Sequence, residues 1–141
     1  VSPGKSEAPV AGPKVDDAHA EKLGRKASAL PRFRWMSGML GGLGSRVVGR
    51  DKGELHVIKS PYRPSWVRPQ AMGWPDLRDP ATKGCVLALV REKWPDARPL
   101  KLNFAKQWVI VRTGRAGVVL DCSDPHDTEA EALIAALEAA S

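Results

Sequence analysis

One stretch of the chain repeats its apolar residues at helical spacing. At about 100° per residue, Cys85, Val86, Leu89, Val90 and Trp94 share a broad arc, with Lys83, Arg91 and Glu92 outside it or at its edges. Asp79 stands where an N-cap carboxylate would accept from the first free amides, and Pro80 occupies the first helical position, where its missing N–H costs nothing. Pro95 ends the helix by disfavouring helical backbone in the residue before it. Downstream the period changes to two. Leu100-Lys101-Leu102-Asn103-Phe104 alternates strictly, Ala105-Lys106 turns, and Gln107-Trp108-Val109-Ile110-Val111-Arg112 is apolar on both faces, as a central strand is. A turn through Thr113–Gly117 leads to a third strand at Val118–Asp121. Thr128 with Glu131 three residues on forms a capping box, opening a last helix with Leu133, Ile134 and Leu137 on one side and Glu131 and Glu138 opposite.

The first half is patterned more weakly. Residues 1–29 are rich in Pro, Gly, Ala and mixed charge and have few large apolar groups, so a disordered tail is expected. Within it Asp16–Ala29 has the makings of a transient helix, capped by Asp16 or Asp17, with Ala18, Ala20, Leu23 and Ala27 as a stripe. Residues 30–60 read as a small basic β element. Ser45–Arg50 and Glu54–Lys59 form a hairpin about the turn Asp51-Lys52-Gly53, with one strand preceding them. Gly38–Ser45 lacks the Gly-Lys-Ser/Thr ending of a phosphate loop and the third glycine of a dinucleotide fingerprint, and reads as a flexible connection. Pro61, Pro64, Pro69 and Pro75 fall within residues 60–75 and make residues 61–73 an extended linker without a regular ladder.

The expected class is therefore α+β: helix, three-stranded antiparallel sheet and helix over residues 74–141, preceded by the tail, the small β element and the linker. Strict alternation at Leu100–Phe104 suits a sheet covered on one face, whereas the middle strand suits cover on both.

Specific residues of this half also resemble the phage ABA-sandwich family, small domains encoded in bacteriophages and prophages. The likeness rests on Pro75-Asp76-Leu77 before Asp79-Pro80-Ala81-Thr82-Lys83-Gly84-Cys85, on Leu87-Ala88-Leu89-Val90-Arg91-Glu92 leading to Trp94, on Trp108, and on Thr128–Leu133 continuing to Ala135–Ala140. Lys83 stands where the family commonly has a short hydrophobic residue. The resemblance implies a three-layer α/β/α arrangement and a phage origin, and it implies no reaction, since the family is one of uncharacterised function.

Charge changes the picture more than composition does. The net charge of the 141 residues is +6, and all of that excess lies in residues 30–70, with eight Lys/Arg against two Asp/Glu. A local cluster of this kind attracts polyanions. The candidate contact residues are Arg32, Arg34, Trp35, Arg46, Arg50, Lys52, Lys59, Arg63, Trp66 and Arg68, a mixture of cations and rings suited to single-stranded nucleic acid. Against that reading, Trp66 and Trp74 would simply pack the linker against the domain.

Asp121–Asp127 gathers Cys122, His126 and three aspartates, which suggests a hydrolase-type or metal site. Turn and cap chemistry accounts for the same residues, and no second Cys-His pair gives zinc spacing. Cys85 and Cys122 lie in apolar settings as small hydrophobes. No apolar run reaches the ~20 residues of a membrane span. The expectation is a non-enzymatic phage accessory protein, cytoplasmic in the host cell or virion-associated, with no cofactor and no metal. A protein partner is expected first, with nucleic acid bound by residues 30–70 as the alternative.

Overall fold

The computed structural model describes residues 16–59, 63–102, 106–113 and 119–141, without the side chains of 113 and 119–122. Among the described residues three α-helices and two three-stranded antiparallel sheets make an α+β fold. The first sheet has the order β1 (Ser45–Asp51), β2 (Glu54–Lys59), β3 (Arg63–Val67), and the second the order β4 (Arg98–Leu102), β5 (Gln107–Thr113), β6 (Val119–Cys122). The helices are α1 (Asp17–Ser28), α2 (Pro80–Arg91) and α3 (Glu129–Ala140).

Residues 74–141 follow the expected order of helix, three strands and helix. Asp79 caps α2 by accepting from the Thr82 N–H, and the Thr128/Glu131 capping box opens α3. The layering differs from a sheet between two helices. α3 packs on β4 and β5, whereas α2 packs on α3. The cluster that holds Val86, Leu89 and Val90 of α2 takes in Ile110 but neither Val109 nor Val111. The composition of α3 explains this. Ala130, Ala132, Ala136 and Ala140 are buried along with Leu133, Ile134 and Leu137, so the helix is apolar nearly all round and small enough for neighbours to approach closely. Lys83 lies 3.0 Å from Glu129 and ties the start of α2 to the start of α3.

The second neighbour of α3 is α1, which corrects the expectation of a disordered tail to residue 29. Asp16 caps α1, accepting from the His19 N–H at 2.8 Å, and Ala20, Leu23, Gly24 and Ala27 are buried. A stripe too weak to hold a helix in water suffices once α3 supplies the opposite wall, because tertiary packing provides most helical stability. Ala18, expected on the stripe, is exposed. Residues 1–15 lie outside the described residues.

The hairpin β1–β2 forms as expected, with Lys52 at φ +50° and Gly53 at φ +81° making a two-residue turn between the paired Asp51 and Glu54. Its third strand comes from the opposite direction to the one expected. Residues before β1 form only isolated bridges, Leu40 to Arg46 and Gly41 to Pro75, while the proline-rich segment supplies β3. Pro64 is tolerated there because β3 is an edge strand, where a missing N–H breaks no inner ladder. A short 3₁₀ turn over Pro69–Met72 follows.

Nor does a boundary separate residues 30–73 from the second half. Trp35, Met39, Val47, Leu55, Val57 and Met72 join Leu89, Ile110 and Leu137 in one buried cluster. At the seam Trp74 fills the space between α1 and the glycine-rich link. A Cβ on Gly42 would stand 2.1 Å from Trp74 Cε2, and one on Gly24 would stand 2.4 Å from the Pro75 carbonyl oxygen. Backbone bonds from Gly42 N–H to the Trp74 oxygen at 2.7 Å and from Asp76 N–H to the Leu40 oxygen at 2.8 Å complete it. The link expected to be flexible is thus fixed by its glycines, which allow a contact closer than any side chain permits.

Candidate nucleic-acid interface

The ten candidate contact residues divide into two groups. Trp35 is only 7% exposed, set edge-on to Phe33 with ring centroids 5.5 Å apart, so it belongs to the core and is no stacking platform. Arg46 is engaged as well. Its guanidinium grips Asp79 through two bonds of 2.9 and 3.0 Å and donates to the Gly38 carbonyl at 2.7 Å. Asp79 also accepts from the N–H and the hydroxyl of buried Thr82, whose Oγ1 accepts in turn from the Leu40 N–H. The Arg46 bonds hold the Asp79 carboxyl below its ordinary range against the opposing effect of burial, and the same bonds raise Arg46. This network fastens β1 to the start of α2.

Arg34 forms a two-pronged pair with Glu92, and Arg32 donates to the Ala140 carbonyl at 3.0 Å while lying 3.8 Å from the same Glu92. The Arg34 bond holds the Glu92 carboxyl low and raises Arg34. These two arginines anchor the strand-like arm to the ends of α2 and α3, so their charge is largely met within the chain.

The other candidates gather on the β1–β3 sheet. Its inner face sends Val47, Leu55 and Val57 into the core. Its outer face carries Gly49, His56 and Trp66, opposite one another in register across the three strands, with Ile58 opposite Pro64 beside them. Trp66 lies flat on His56, ring centroids 4.7 Å apart and planes 14° from parallel, and remains 50% exposed. Such a ring is an unusual thing to leave in water when burial of its area would stabilise the fold. Arg68 continues the alternation of β3 two residues beyond Trp66 on extended backbone. At the other end, on the side of the sheet that carries Leu55 and Val57, Lys59 pairs directly with Arg63, like charges in a position where they destabilise a sheet. Lys52 is at the hairpin tip and Arg50 on the inner side, with one long bond of 3.5 Å to the Trp35 carbonyl. Among the described residues Arg50, Lys52, Lys59, Arg63 and Arg68 make no ion pair, and the nearby carboxylates of the sheet are Asp51 and Glu54 at the turn.

The residue that sequence reasoning missed is His56, which forms the base of the stack. Its partner became visible only with the register of β3. Trp74 does pack the arm against the domain, whereas Trp66 does not.

The Asp121–Asp127 stretch is used in structure where it is described. His126 exchanges backbone bonds of 2.7 and 2.8 Å with Trp108, Ser123 Oγ accepts from the Ile110 N–H, and Asp127 accepts from the Gln107 amide at 3.2 Å. The side chains of Asp121 and Cys122 lie outside the described residues. Among those described, no three His, Cys, Asp or Glu side chains group as metal ligands. Cys85 is a half-buried free thiol, pushed up by burial. No described helix is long and apolar enough to cross a membrane. No family model, curated protein or solved structure matches the chain.

Proposed function

We propose that the chain is a non-enzymatic binding module that holds single-stranded nucleic acid on the outer face of the β1–β3 sheet. The observation that carries this reading is Trp66, half in water and already backed by a parallel His56 ring, which offers its free face to a base. Arg68 on the same face supplies a phosphate contact, and the Lys59/Arg63 pair, which the register puts on the side of Leu55 and Val57, offers a second at the sheet's end, where an anion would relieve the repulsion between the two. Base stacking of this kind tolerates sequence, so the module reads strandedness more than base identity. The setting we propose for it is a phage or prophage accessory role, supported by the likeness of residues 74–141 to the ABA-sandwich family.

Fluorescence anisotropy with a labelled 12-residue oligothymidylate tests the activity. Binding at low salt, outcompeted by unlabelled single strand far better than by duplex, is the expected result. No binding at low ionic strength ends the reading. In that case the exposed edge strand β3 and Trp66 become the face for a protein partner, recovered after nuclease treatment and lost on Trp66→Ala.

A further inference from the structure

A cleft of about 370 Å³ opens where the arm after α1, the inner side of the hairpin and the 3₁₀ turn meet. That volume is in the range of small-ligand sites. Phe33 and Pro69 present apolar surface on its wall, backed by the buried Leu55 and by the buried Trp35 ring, which stands at 84° to Phe33. Three groups on its lining can specify a ligand: the Ser28 hydroxyl, the Gln70 amide and the Arg50 guanidinium. Arg50 has no carboxylate partner among the described residues, and its one bond, to the Trp35 carbonyl, is 3.5 Å long. A planar apolar ring with hydrogen-bonding edges and an attached anion matches this lining, and a nucleotide has both parts. The cleft lies on the inner side of the same sheet, and the chain runs from the outer-face ring at the free edge of β3 to its rim. Trp66, Val67, Arg68, Pro69 and Gln70 are consecutive, so five residues lead from the stacking ring to the cleft's rim.

We infer that the cleft takes the phosphate-bearing terminal nucleotide of a single strand laid across Trp66, with Arg50 on the terminal phosphate, Gln70 on the base edge and Phe33 and Pro69 against the base. The inference rests on the nucleic-acid reading of the outer face and adds to it a preference for strand ends. Arg34 also lines the cleft, but its guanidinium is held by Glu92, which leaves Arg50 as the anchor.

The test compares hexathymidylates that end in hydroxyl at both ends, in a 5′-phosphate or in a 3′-phosphate, with thymidine 5′-monophosphate and thymidine as separate probes, on the full chain. One of the two phosphorylated oligomers should bind about tenfold tighter than the hydroxyl-ended one, the effect of one charge-assisted contact. Which oligomer gains identifies the end that enters. Arg50→Gln should abolish that increment and leave the hydroxyl-ended affinity within about twofold, and Gln70→Ala should reduce it, so that a poorly folding variant of either residue leaves the other available. Equal affinity for all three oligomers overturns the inference while the outer-face reading survives. An increment that persists in folded Arg50→Gln also overturns it. Binding of the monophosphate over thymidine, dependent on Arg50 but without any oligomer binding, would overturn both the strand-end inference and the outer-face reading and leave a mononucleotide site.

Discussion

The seam around Trp74 and Arg46 and the outer face around Trp66 are built from the same basic, aromatic and glycine-rich stretch, and they use those residues in opposite ways. At the seam the cation is spent. Arg46 satisfies a carboxylate that is also an N-cap, and Trp74 is closed in by Gly24, Gly42 and the Arg25 guanidinium, 4.9 Å from its ring centroid. On the β1–β3 sheet Arg68 is exposed beside Trp66, Lys59 and Arg63 face one another at the sheet's end, and the ring is half exposed. Local charge density therefore does not by itself mark a binding surface. What marks it is charge and aromatic area left without an internal partner, at some cost to the fold.

The contrast can be broken by substitution, and the largest effect belongs to the core beneath the seam. Leu89 is fully buried, so Leu89→Asp places an unpaired charge among apolar groups and should cost about 4 kcal/mol or more. Thermal unfolding followed by circular dichroism checks this, and a variant that still melts cooperatively near the wild-type temperature refutes the core assignment. Next come the glycines. Gly42→Ala should destabilise by about 1–3 kcal/mol because its new Cβ collides with Trp74, whereas Gly84→Ala, with nothing within 4 Å and a helical backbone, should stabilise by about 0.5–1 kcal/mol. Equal responses in urea melts would mean that the seam is not close-packed.

A smaller effect follows from Asp79. Its carboxyl is lowered in the folded chain, so its contribution to stability is complete above the ordinary carboxylate pKa of about 3.9 and is lost as pH falls through the lower folded value. Arg46→Met should therefore cost about 1–2 kcal/mol at neutral pH, discounted because Arg46 is 40% exposed, and should flatten that acid branch. Stability curves between pH 2 and 7 decide it. An acid branch as steep in Arg46→Met as in the wild type would put the acid sensitivity elsewhere.

Much of the second half was legible because its signals are local. Asp79 and Pro80 announce α2, Thr128 and Glu131 announce α3, and the apolar run announces β5, whereas β4 spans Arg98–Leu102 in place of Leu100–Phe104 with Leu100 exposed, and residues 103–105 lie outside the described residues. What was not legible depends on partners distant in sequence. α1 has a stripe too thin to be read as stable until α3 covers it, and the alanines of α3 do not reveal that helices pack on two of its sides. The prolines of residues 61–73 argue against a strand, and only edge position makes β3 permissible. Without β3 the opposition of His56 and Trp66 has no register, so the stack was out of reach. The set of candidate cations was right in kind and too large. Nothing in the sequence separates Arg46, whose partner lies 33 residues away at Asp79, from Arg63, which has none among the described residues.

The claim that the basic segment divides into holding and binding cations is tested most directly by the salt dependence of oligothymidylate affinity. The slope of log affinity against log salt should fall in magnitude by about 0.7 for each phosphate of a single strand that a removed cation no longer neutralises. Lys59→Ser, Arg63→Ser and Arg68→Ser should each show that decrease, Trp66→Ala should weaken binding by about 1–3 kcal/mol without changing the slope, and Arg34→Gln should match the wild type in both. A slope that falls as much for Arg34→Gln as for Arg63→Ser, or a Trp66→Ala affinity equal to wild type, would contradict the division.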